Sequence, residues 1–350
     1  MPLPDAARRV IEDAIRARVF PAAAVEVGNS HGPIAQDALG TLSFDAHALP
    51  ALIETPFDLA SLTKPIATAG VIMRLVETGA VSLDDRVSDC FDEWRGDDRR
   101  TVTVADLLEH ASGLPARLFD APPAGRREFE HEICSIPLEY ATRSRSIYSD
   151  IGFILLGFFA EDRGGAGLAG QFSALARAAG ADLTFGLPDV ARRGAAPTTA
   201  LPEDVRRGRV LSGEVHDNYA AALGGVAGHA GLFGTAPAVG VYARAVLNAA
   251  RGDEGLPSPF KPALLRRFTM RTTVPGSSRA LGWDTMLTTS SCGTRMSPSA
   301  FGHVGFTGTS LWIDPDHDRY FVLLTNRAHG GGSLEQMRDV RRAFHDAATF

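Results

Sequence analysis

The chain has 350 residues, of which 45% are hydrophobic and 22% are charged, as in ordinary globular proteins. This length allows one large domain or two interlocked ones, and the composition does not indicate disorder. The formal net charge is −6 and no long basic block occurs, so nucleic-acid binding is not expected.

Neither a disulfide framework nor a metal centre is predicted. The three cysteines, Cys90, Cys134 and Cys292, lie far apart, and an odd number without paired spacing favours free, buried thiols. No His-Glu-x-x-His or similar ligand spacing occurs. We therefore predict no cofactor. The alternative is a metalloenzyme, and loss of activity after treatment with a chelator would favour it.

The start of the chain predicts an amphipathic helix rather than a secretory signal. Acidic residues come early, and apolar residues return at helical spacing. The longest notable apolar run, residues 151–160, is too short to span a bilayer. We expect a cytoplasmic protein without a membrane span, and a periplasmic location would require the removal of a leader. The sequence does not indicate an oligomeric state.

Patterns at the two ends of the chain predict one antiparallel sheet. Apolar stretches at 22–27 and 33–39 predict a hairpin, and a β-type run over 302–314 followed by 320–325 predicts a second one. Ser333, with acidic and amide residues in the turn after it, predicts the cap of a final helix.

The middle of the chain alternates helical runs with loops rich in Gly, Pro and Ala. We therefore predict an α+β fold in which an antiparallel sheet is flanked by terminal helices and carries an inserted, mostly helical domain. The predicted sheet domain comprises residues 1–79 and 240–350, and the predicted helical domain comprises residues 80–239.

The segment Ser61-Leu62-Thr63-Lys64 is the first candidate for chemistry. It opens an almost uniformly apolar helix that follows Pro65 and ends at Gly79. Residues i and i+3 share one helix face, so the Lys64 amine can reach the Ser61 hydroxyl. A desolvated, neutral lysine could take the serine proton, and the start of the helix favours the neutral amine. Ser-x-x-Lys alone is a weak signal because it occurs by chance in many chains.

Two later segments supply further candidate groups. Tyr148 precedes the apolar helix predicted over 151–160, and it could relay a proton if a nearby ammonium lowered its pKa. The small residues of segment 302–308 would let a substrate lie against a strand, where an edge N–H could pair with that of Ser61 as an oxyanion hole. Each segment alone has an ordinary structural interpretation, as a loop tyrosine and as a glycine-bulged strand.

Taken together, these segments resemble the serine β-lactamase and penicillin-binding-protein superfamily. The order Ser-x-x-Lys, Tyr-x-Asp and His-x-Gly before a terminal hairpin and helix is similar to the class C branch, which includes D-Ala-D-Ala peptidases and family VIII carboxylesterases. Segments 81–87, 107–115 and 305–315 resemble further segments of that family. The resemblance covers nearly the whole chain, from roughly Val10 to Ala343, and implies a β-lactamase/transpeptidase-like fold.

The resemblance also implies roles for individual residues. Ser61 would be the acylated nucleophile, Lys64 its base and Tyr148 a second proton shuttle. The backbone N–H groups of Ser61 and Phe306 would form the oxyanion hole. Substrate binding would fall to three positions, which are Asp150, His303 and Gly305.

Two of these positions depart from the drug-hydrolysing members. The family's Tyr-x-Asn ends here in Asp150, whose ionised carboxylate only accepts hydrogen bonds and would raise the pKa of Lys64. The family's Lys-Thr-Gly is here His303-Val304-Gly305, and a neutral histidine attracts a substrate carboxylate poorly. Both changes favour a neutral ester, or a different amide, over penicillin or D-Ala-D-Ala.

We therefore predict a serine hydrolase that acts on short-chain esters through an acyl-enzyme on Ser61. The alternatives are a β-lactamase or D-Ala-D-Ala carboxypeptidase, and a non-catalytic sensor on the same fold. The expected partner is a small-molecule ester or amide. His110 and His229 are interpreted as structural hydrogen-bonding residues. A triad that uses His216 and Asp217 has no support from a Gly-x-Ser-x-Gly elbow, which the sequence lacks.

Overall fold

A computed structural model describes residues 1–118, 122–202, 204, 207–253, 255–256 and 258–349. The strands are, in chain order, β1 (Ala22–Asn29), β2 (Gly32–Gly40), β3 (Phe57–Asp58), β4 (Thr184–Phe185), β5 (Thr198–Thr199), β6 (Val210–Leu211), β7 (Leu232–Gly234), β8 (Asp284–Thr285), β9 (Phe301–Val304), β10 (Ser310–Asp314) and β11 (Arg319–Thr325).

Helices make up much of the middle of the chain and lie at both of its ends. They are α1 (Asp5–Arg16), α2 (Gly70–Glu77), α3 (Val104–Leu108), α4 (Arg126–Ser135), α5 (Asp150–Gly164), α6 (Leu168–Ala179), α7 (Asp189–Arg192), α8 (Asn218–Ala222), α9 (Ala236–Arg251), α10 (Pro262–Thr269), α11 (Arg327–Gly330) and α12 (Leu334–Ala348). This mixture of helices with an antiparallel sheet confirms the predicted fold class.

One six-stranded sheet is built from both ends of the chain, in the order β2-β1-β11-β10-β9-β8. Strand β1 pairs antiparallel with β11, so that Val25 lies opposite Leu323. The predicted hairpins β1–β2 and β10–β11 are both present. Residue 240 lies inside helix α9, which packs on β1 and β11. The division into domains at residues 79 and 240 stays a prediction.

Both faces of the sheet are buried. Along β11, Phe321 and Leu323 belong to a core that α1 and α12 cover, whereas Val322 and Leu324 face the main core of the protein. Successive strand residues point to opposite faces, so this strand is apolar at every one of these positions. The last helix begins as predicted, because Ser333 and Gln336 form a capping box.

Residues 58–69, called the nucleophile segment after the role predicted for Ser61, are less regular than the predicted helix. A 3₁₀ turn covers Ala60–Leu62, a π-helical turn covers Lys64–Ala69, and α-helical geometry starts only at Gly70. Pro65 lacks an N–H and its ring crowds the preceding turn, which accounts for the widened helix. The apolar helix still ends as predicted, with Gly79 in a left-handed conformation.

The predicted strand over 302–314 is interrupted by a turn that lies beside the nucleophile segment. Strand β9 ends at Val304, and β10 begins at Ser310. Gly305 N donates to Thr309 O at 2.8 Å, which closes the turn. Gly305 and Phe306 therefore lie in a turn and not on a strand edge. Residues 305–309 are called the oxyanion turn below, after the role that the family resemblance implies for Phe306.

Candidate active site

Ser61 and Lys64 are in direct contact. Lys64 Nζ donates to Ser61 Oγ at 3.1 Å. The contact spans three residues along one helical surface, as the sequence predicted. Ser61 is half-buried, whereas Lys64 is completely buried. The hydroxyl is therefore open to a ligand while the amine behind it is shielded from water.

The Lys64 ammonium has three acceptors, which match its three N–H groups. They are Ser61 Oγ at 3.1 Å, Asp150 Oδ1 at 2.8 Å and the His229 carbonyl oxygen at 3.1 Å. Burial lowers the pKa of Lys64, but the charges and hydrogen bonds of Asp150 and Tyr148 raise it more, so the pKa lies above its ordinary value. The shift has the direction expected from Asp150, and the unprotonated amine that could take the Ser61 proton is the less populated form.

Tyr148 lies against the same pair. Its ring centroid is 4.8 Å from Lys64 Nζ, and interactions of its hydroxyl with Lys64 and Ser61 act to lower its pKa. Burial raises the pKa of Tyr148 more than these interactions and the Lys64 charge lower it. The resting phenol is therefore protonated at neutral pH.

His110 supports Tyr148 from behind. Its ring centroid lies 4.6 Å from that of Tyr148, and its Nδ1 accepts a hydrogen bond from Ser149 N at 3.0 Å. Ser149 in turn caps helix α5 by accepting from Gly152 N. These contacts agree with the structural role that the sequence suggested for His110.

A chain of alternating charges runs from Lys64 into the cavity. Arg117 donates to Asp150 Oδ2 at 3.3 Å and to Asp217 Oδ2 at 3.5 Å. Asp217 Oδ1 is 2.7 Å from His229 Nε2. Burial raises the pKa of Asp217, but His229 and Arg117 lower it more, so its pKa lies below the ordinary value. Asp150 is therefore held between two cations, with a second carboxylate beyond Arg117.

Sequence reasoning missed Arg117 and the pairing of Asp217 with His229. Arg117 lies two positions after segment 107–115, which resembles the family. That proximity was the sequence signal that could have placed Arg117 near the site. The suggested pair of His216 with Asp217 does not form a triad. His216 Nε2 instead contacts the Thr199 carbonyl oxygen at 3.0 Å.

The oxyanion turn is fastened to the backbone just before Ser61. Thr307 Oγ1 donates to Asp58 O at 2.7 Å, and Thr309 Oγ1 donates to Leu59 O at 3.0 Å. A Cβ atom on Gly305 would lie 2.6 Å from the Leu59 carbonyl oxygen and 2.1 Å from Thr309 Oγ1. Glycine is thus required at 305 for the turn to approach the nucleophile segment this closely.

Asp58 holds the nucleophile segment from the other side. Its carboxylate accepts from Ala60 N at 2.8 Å and from His216 N at 2.6 Å. Ala60 has a φ of +48°, which is unfavourable for a residue with a Cβ, and it immediately precedes Ser61. Burial raises the pKa of Asp58 to about 6 despite these two hydrogen bonds. The Asp58 carboxylate therefore holds the strained backbone of Ala60, immediately before Ser61.

His303 lies on β9 where the family pattern has lysine, and it is buried. Its Nδ1 is 2.8 Å from the Val304 carbonyl oxygen, and among the described residues its Nε2 has no partner. Burial and the charges of Arg279 and Lys64 hold the pKa of His303 well below its ordinary value. The ring is therefore uncharged at neutral pH and does not replace the lysine charge.

Arg279 brings a cation to this part of the site that the sequence did not reveal. Its guanidinium lies 5.0 Å from the centroid of the Tyr148 ring. Within the described part of the chain, Arg279 forms no ion pair. Its backbone belongs to the loop before β8, far from the other site residues in sequence, and no motif marks it.

A cavity of about 110 Å³ opens onto Ser61. It is lined by Ala60, Ser61, Arg117, Tyr148, Asp150, Leu201, His216, Asp217, His229, Ala230 and Phe306. The structure therefore gathers Ser61, Tyr148, Asp150 and Phe306 around one space. Lys64 and His303 lie behind Ser61 and Tyr148, and Gly305 lies in the oxyanion turn.

The described ranges were also compared with the requirements of a metal site and of a membrane span. No group of three His, Cys, Asp or Glu side chains there is placed to hold a metal ion. Across the same residues, no helix combines the length and the apolar character that crossing a membrane requires.

This fold and this constellation define a class of protein. The sequence model of the Beta-lactamase family matches residues 7–345. The chain belongs to the beta-lactamase family, whose members are serine hydrolases. The resemblance recognised from the motifs is thereby confirmed.

Curated relatives and solved structures are similar to this chain over most of its length. A putative D-alanyl-D-alanine carboxypeptidase of Salmonella gallinarum is 31% identical over 81% of this chain and 72% of its own length. One from Escherichia coli K12 is 31% identical over 79% and 70%. A class C β-lactamase from Rhodobacter sphaeroides superposes with a TM-score of 0.76 at 20% identity, over 99% of each chain. EstCE1, described as a hydrolase with promiscuous acyltransferase activity, gives a TM-score of 0.73 at 22% identity over 97% of each chain.

Proposed function

We propose that this protein hydrolyses short-chain esters through an acyl-enzyme on Ser61. The observation that carries the proposal is the 3.1 Å contact between Lys64 Nζ and Ser61 Oγ at the edge of an open cavity. The uncharged His303 favours a neutral acyl compound over a carboxylate-bearing one. EstCE1, which shares this fold, is described as a hydrolase with promiscuous acyltransferase activity, and this supports acyl transfer on the scaffold.

The acylation step follows from the placement of the groups. Ser61 Oγ bonds to the ester carbonyl carbon, and the π electron pair moves onto the carbonyl oxygen, which the N–H groups of Ser61 and Phe306 stabilise. The Ser61 proton passes to Lys64 in its unprotonated form. When the carbonyl re-forms, the bond to the alkoxy oxygen breaks, and Tyr148 delivers a proton to the departing alcohol.

Deacylation reverses these roles with water. A water molecule gives a proton to deprotonated Tyr148 and bonds to the acyl carbon, the bond to Ser61 Oγ breaks, and the Lys64 ammonium returns a proton to Ser61 as the carboxylic acid leaves. Because Lys64 carries a proton in the resting site, the reactive form is the minority form that has lost it. The rate of acylation should therefore depend on pH.

A D-Ala-D-Ala carboxypeptidase or β-lactamase is the second candidate. Two observations favour it. Relatives 31% identical to this chain bear the name putative D-alanyl-D-alanine carboxypeptidase. The Arg279 guanidinium, which has no ion-pair partner among the described residues, lies beside Tyr148 and could attract the carboxylate of such a substrate. This candidate predicts that nitrocefin is turned over faster than p-nitrophenyl butyrate, and the reverse order of rates would contradict it.

Active-site labelling tests the proposal. Incubation with a fluorophosphonate followed by peptide mass spectrometry should place one adduct on Ser61, and Ser61→Ala should abolish it. Ser144→Ala, at an exposed serine outside the cavity, is the matched control and should label normally. An adduct elsewhere would overturn the proposal. Labelling without turnover of any ester, β-lactam or D-amino-acid peptide would favour the sensor.

A further inference from the structure

Two buried arginines hold the oxyanion turn from the side away from the cavity. Arg327 is 7% exposed and Arg341 is 5% exposed. Neither pairs with a carboxylate among the residues that the structure describes. Burying a charge without a carboxylate partner is costly, and hydrogen bonds to backbone carbonyls offset part of this cost.

Arg341 reaches the turn from helix α12. Its Nη2 donates to Gly305 O at 2.7 Å and to Thr309 O at 2.9 Å, while its Nε has no partner among the described residues. Burial and the charge of Arg327 lower the pKa of Arg341 to about 9. The guanidinium is thus still charged at neutral pH.

Arg327 holds the next carbonyl of the same turn. Its Nε donates to Phe306 O at 3.1 Å, its Nη2 donates to the same oxygen, and its Nη1 donates to Gly332 O at 2.9 Å. Its guanidinium also lies 4.6 Å from the centroid of the Phe306 ring. Two consecutive peptide groups of the turn therefore each accept a hydrogen bond from a buried cation.

The peptide group that Arg341 contacts is the one that carries the Phe306 N–H. Gly305 C=O and Phe306 N–H are two ends of one planar, conjugated unit. A charged donor on the carbonyl oxygen draws electron density toward it and leaves the N–H more positive. Hydrogen bonds that share a polarisable group strengthen one another in this way.

We propose that Arg341 is a positioning residue that orients and polarises the Gly305–Phe306 peptide, so that the Phe306 N–H binds the developing oxyanion more strongly. This inference rests on the proposed function, in which that N–H belongs to the oxyanion hole. Arg341 does not touch the substrate. Its effect passes through one peptide bond. Arg327 holds the adjacent Phe306 carbonyl and so keeps the turn in place.

A purely structural role would have different consequences. If Arg341 only stabilised the fold, its loss would lower the amount of folded protein, but each folded molecule would bind the acyl carbonyl as before. If it polarises the peptide, the acyl carbonyl of folded enzyme would itself change. A stronger oxyanion hole lengthens the carbonyl bond and lowers its stretching frequency, which infrared spectroscopy measures.

The experiment uses Arg341→Met, Arg341→Lys and the matched control Arg342→Met. Arg342 lies on the same helix and also donates to two backbone carbonyls, those of Thr288 and Ser290, outside the oxyanion turn. Each protein is mixed with p-nitrophenyl butyrate carrying carbon-13 at the carbonyl. The acyl-enzyme band is recorded by infrared difference spectroscopy, and kcat and KM are measured separately.

Arg341→Met should raise the carbonyl frequency and lower kcat by about 10- to 100-fold, which is less than the loss of about 100- to 1,000-fold on removal of an oxyanion-hole donor itself, with KM within about threefold. Arg341→Lys, which keeps the charge and a donor, should recover part of both effects. Arg342→Met should match the wild type. The band comes only from acylated and therefore folded molecules, so partial loss of folding does not change the measured carbonyl frequency. Arg341→Lys still tests the inference if Arg341→Met does not fold.

An unchanged carbonyl band in the Arg341 variants would overturn this inference and leave the proposed function intact. An equal shift in Arg342→Met would also overturn it, because the effect would not be specific to the turn. Failure of the wild type to form any acyl-enzyme would instead overturn the proposed function, and this inference with it.

Discussion

Lys64 Nζ lies 2.8 Å from Asp150 Oδ1, closer than the 3.1 Å that separates it from Ser61 Oγ. The amine that should activate the nucleophile is therefore ion-paired with a carboxylate at the position where β-lactam-processing relatives of the family carry asparagine. Asp150 stabilises the protonated amine, whereas activation of Ser61 requires the unprotonated amine, so we expect this ion pair to set the pH dependence of the site.

Asp150→Asn should shift the pH profile to lower pH. Activity requires unprotonated Lys64, so kcat/KM should rise with pH through the pKa of Lys64. In the wild type Asp150 raises that pKa, and its removal, with Arg117 left nearby, should lower it. The measurement is kcat/KM for p-nitrophenyl butyrate against pH.

The matched control for this change is Asp13→Asn, at an exposed ion pair on α1. Its profile should overlay that of the wild type. A profile of Asp150→Asn that stays in place, or that moves to higher pH, would contradict the assignment of Lys64 as base.

Asp58→Asn should destabilise the protein and slow the reaction. The carboxylate accepts two backbone N–H groups, and an amide oxygen can replace only one of its two oxygens, so we expect a loss of about 1–3 kcal/mol in the free energy of unfolding. Release of the strained Ala60 backbone should also lower kcat. Urea unfolding and ester kinetics measure the two effects.

Asp58 should also give the unfolding free energy a distinct pH dependence. Its folded pKa of about 6 exceeds the ordinary aspartate pKa of 3.8, so between these values the folded chain holds more protons on this group than the unfolded chain. Its contribution to stability should therefore fall as pH rises from 4 toward 6 and then level off. This fall should be missing in Asp58→Asn, and its persistence there would assign it to another group.

Gly305→Ala should displace the oxyanion turn. The added methyl group would overlap Thr309 Oγ1 and the Leu59 carbonyl oxygen, at a cost of about 1–3 kcal/mol for an overpacked site. Because the turn carries Phe306, kcat should fall more than stability explains. Gly170→Ala on α6, where a Cβ meets nothing within 4 Å, is the control and should stabilise the protein by up to about 1 kcal/mol. Full activity in Gly305→Ala would contradict the assignment of the turn.

Arg279→Gln should separate the two candidate functions. For the neutral p-nitrophenyl butyrate, KM should change by less than about threefold, since no charge meets the guanidinium. For nitrocefin, which bears a carboxylate, KM should rise. Equal effects on both substrates would show that Arg279 acts by supporting Tyr148 and not by attracting an anion.

The local parts of this structure could be predicted because short patterns determine them. The cap of α12 at Ser333, the hairpins, and the three-residue spacing that joins Ser61 to Lys64 are all set by neighbours in sequence. The family resemblance then supplied the order of the remaining motifs. It also pointed to Asp150, whose effect on the pKa of Lys64 has the predicted direction.

The rest depends on contacts between distant segments. Arg117 meets Asp217 across 100 positions, and Arg341 meets Gly305 across 36, with no local pattern to mark either pair. Arg279 reaches Tyr148 in the same way. The π-helical turn over Lys64–Ala69 contains Pro65, but a proline near a helix start does not by itself predict a widened turn.

The most direct test of the central claim is to trap the intermediate during turnover. The enzyme is acid-quenched while it hydrolyses p-nitrophenyl butyrate, digested, and examined by mass spectrometry. We predict one butyryl group on the peptide that contains Ser61, and none when Ser61→Ala is treated in the same way. A butyryl group on another residue, or steady turnover with Ser61 unmodified and Ser61→Ala fully active, would contradict the account.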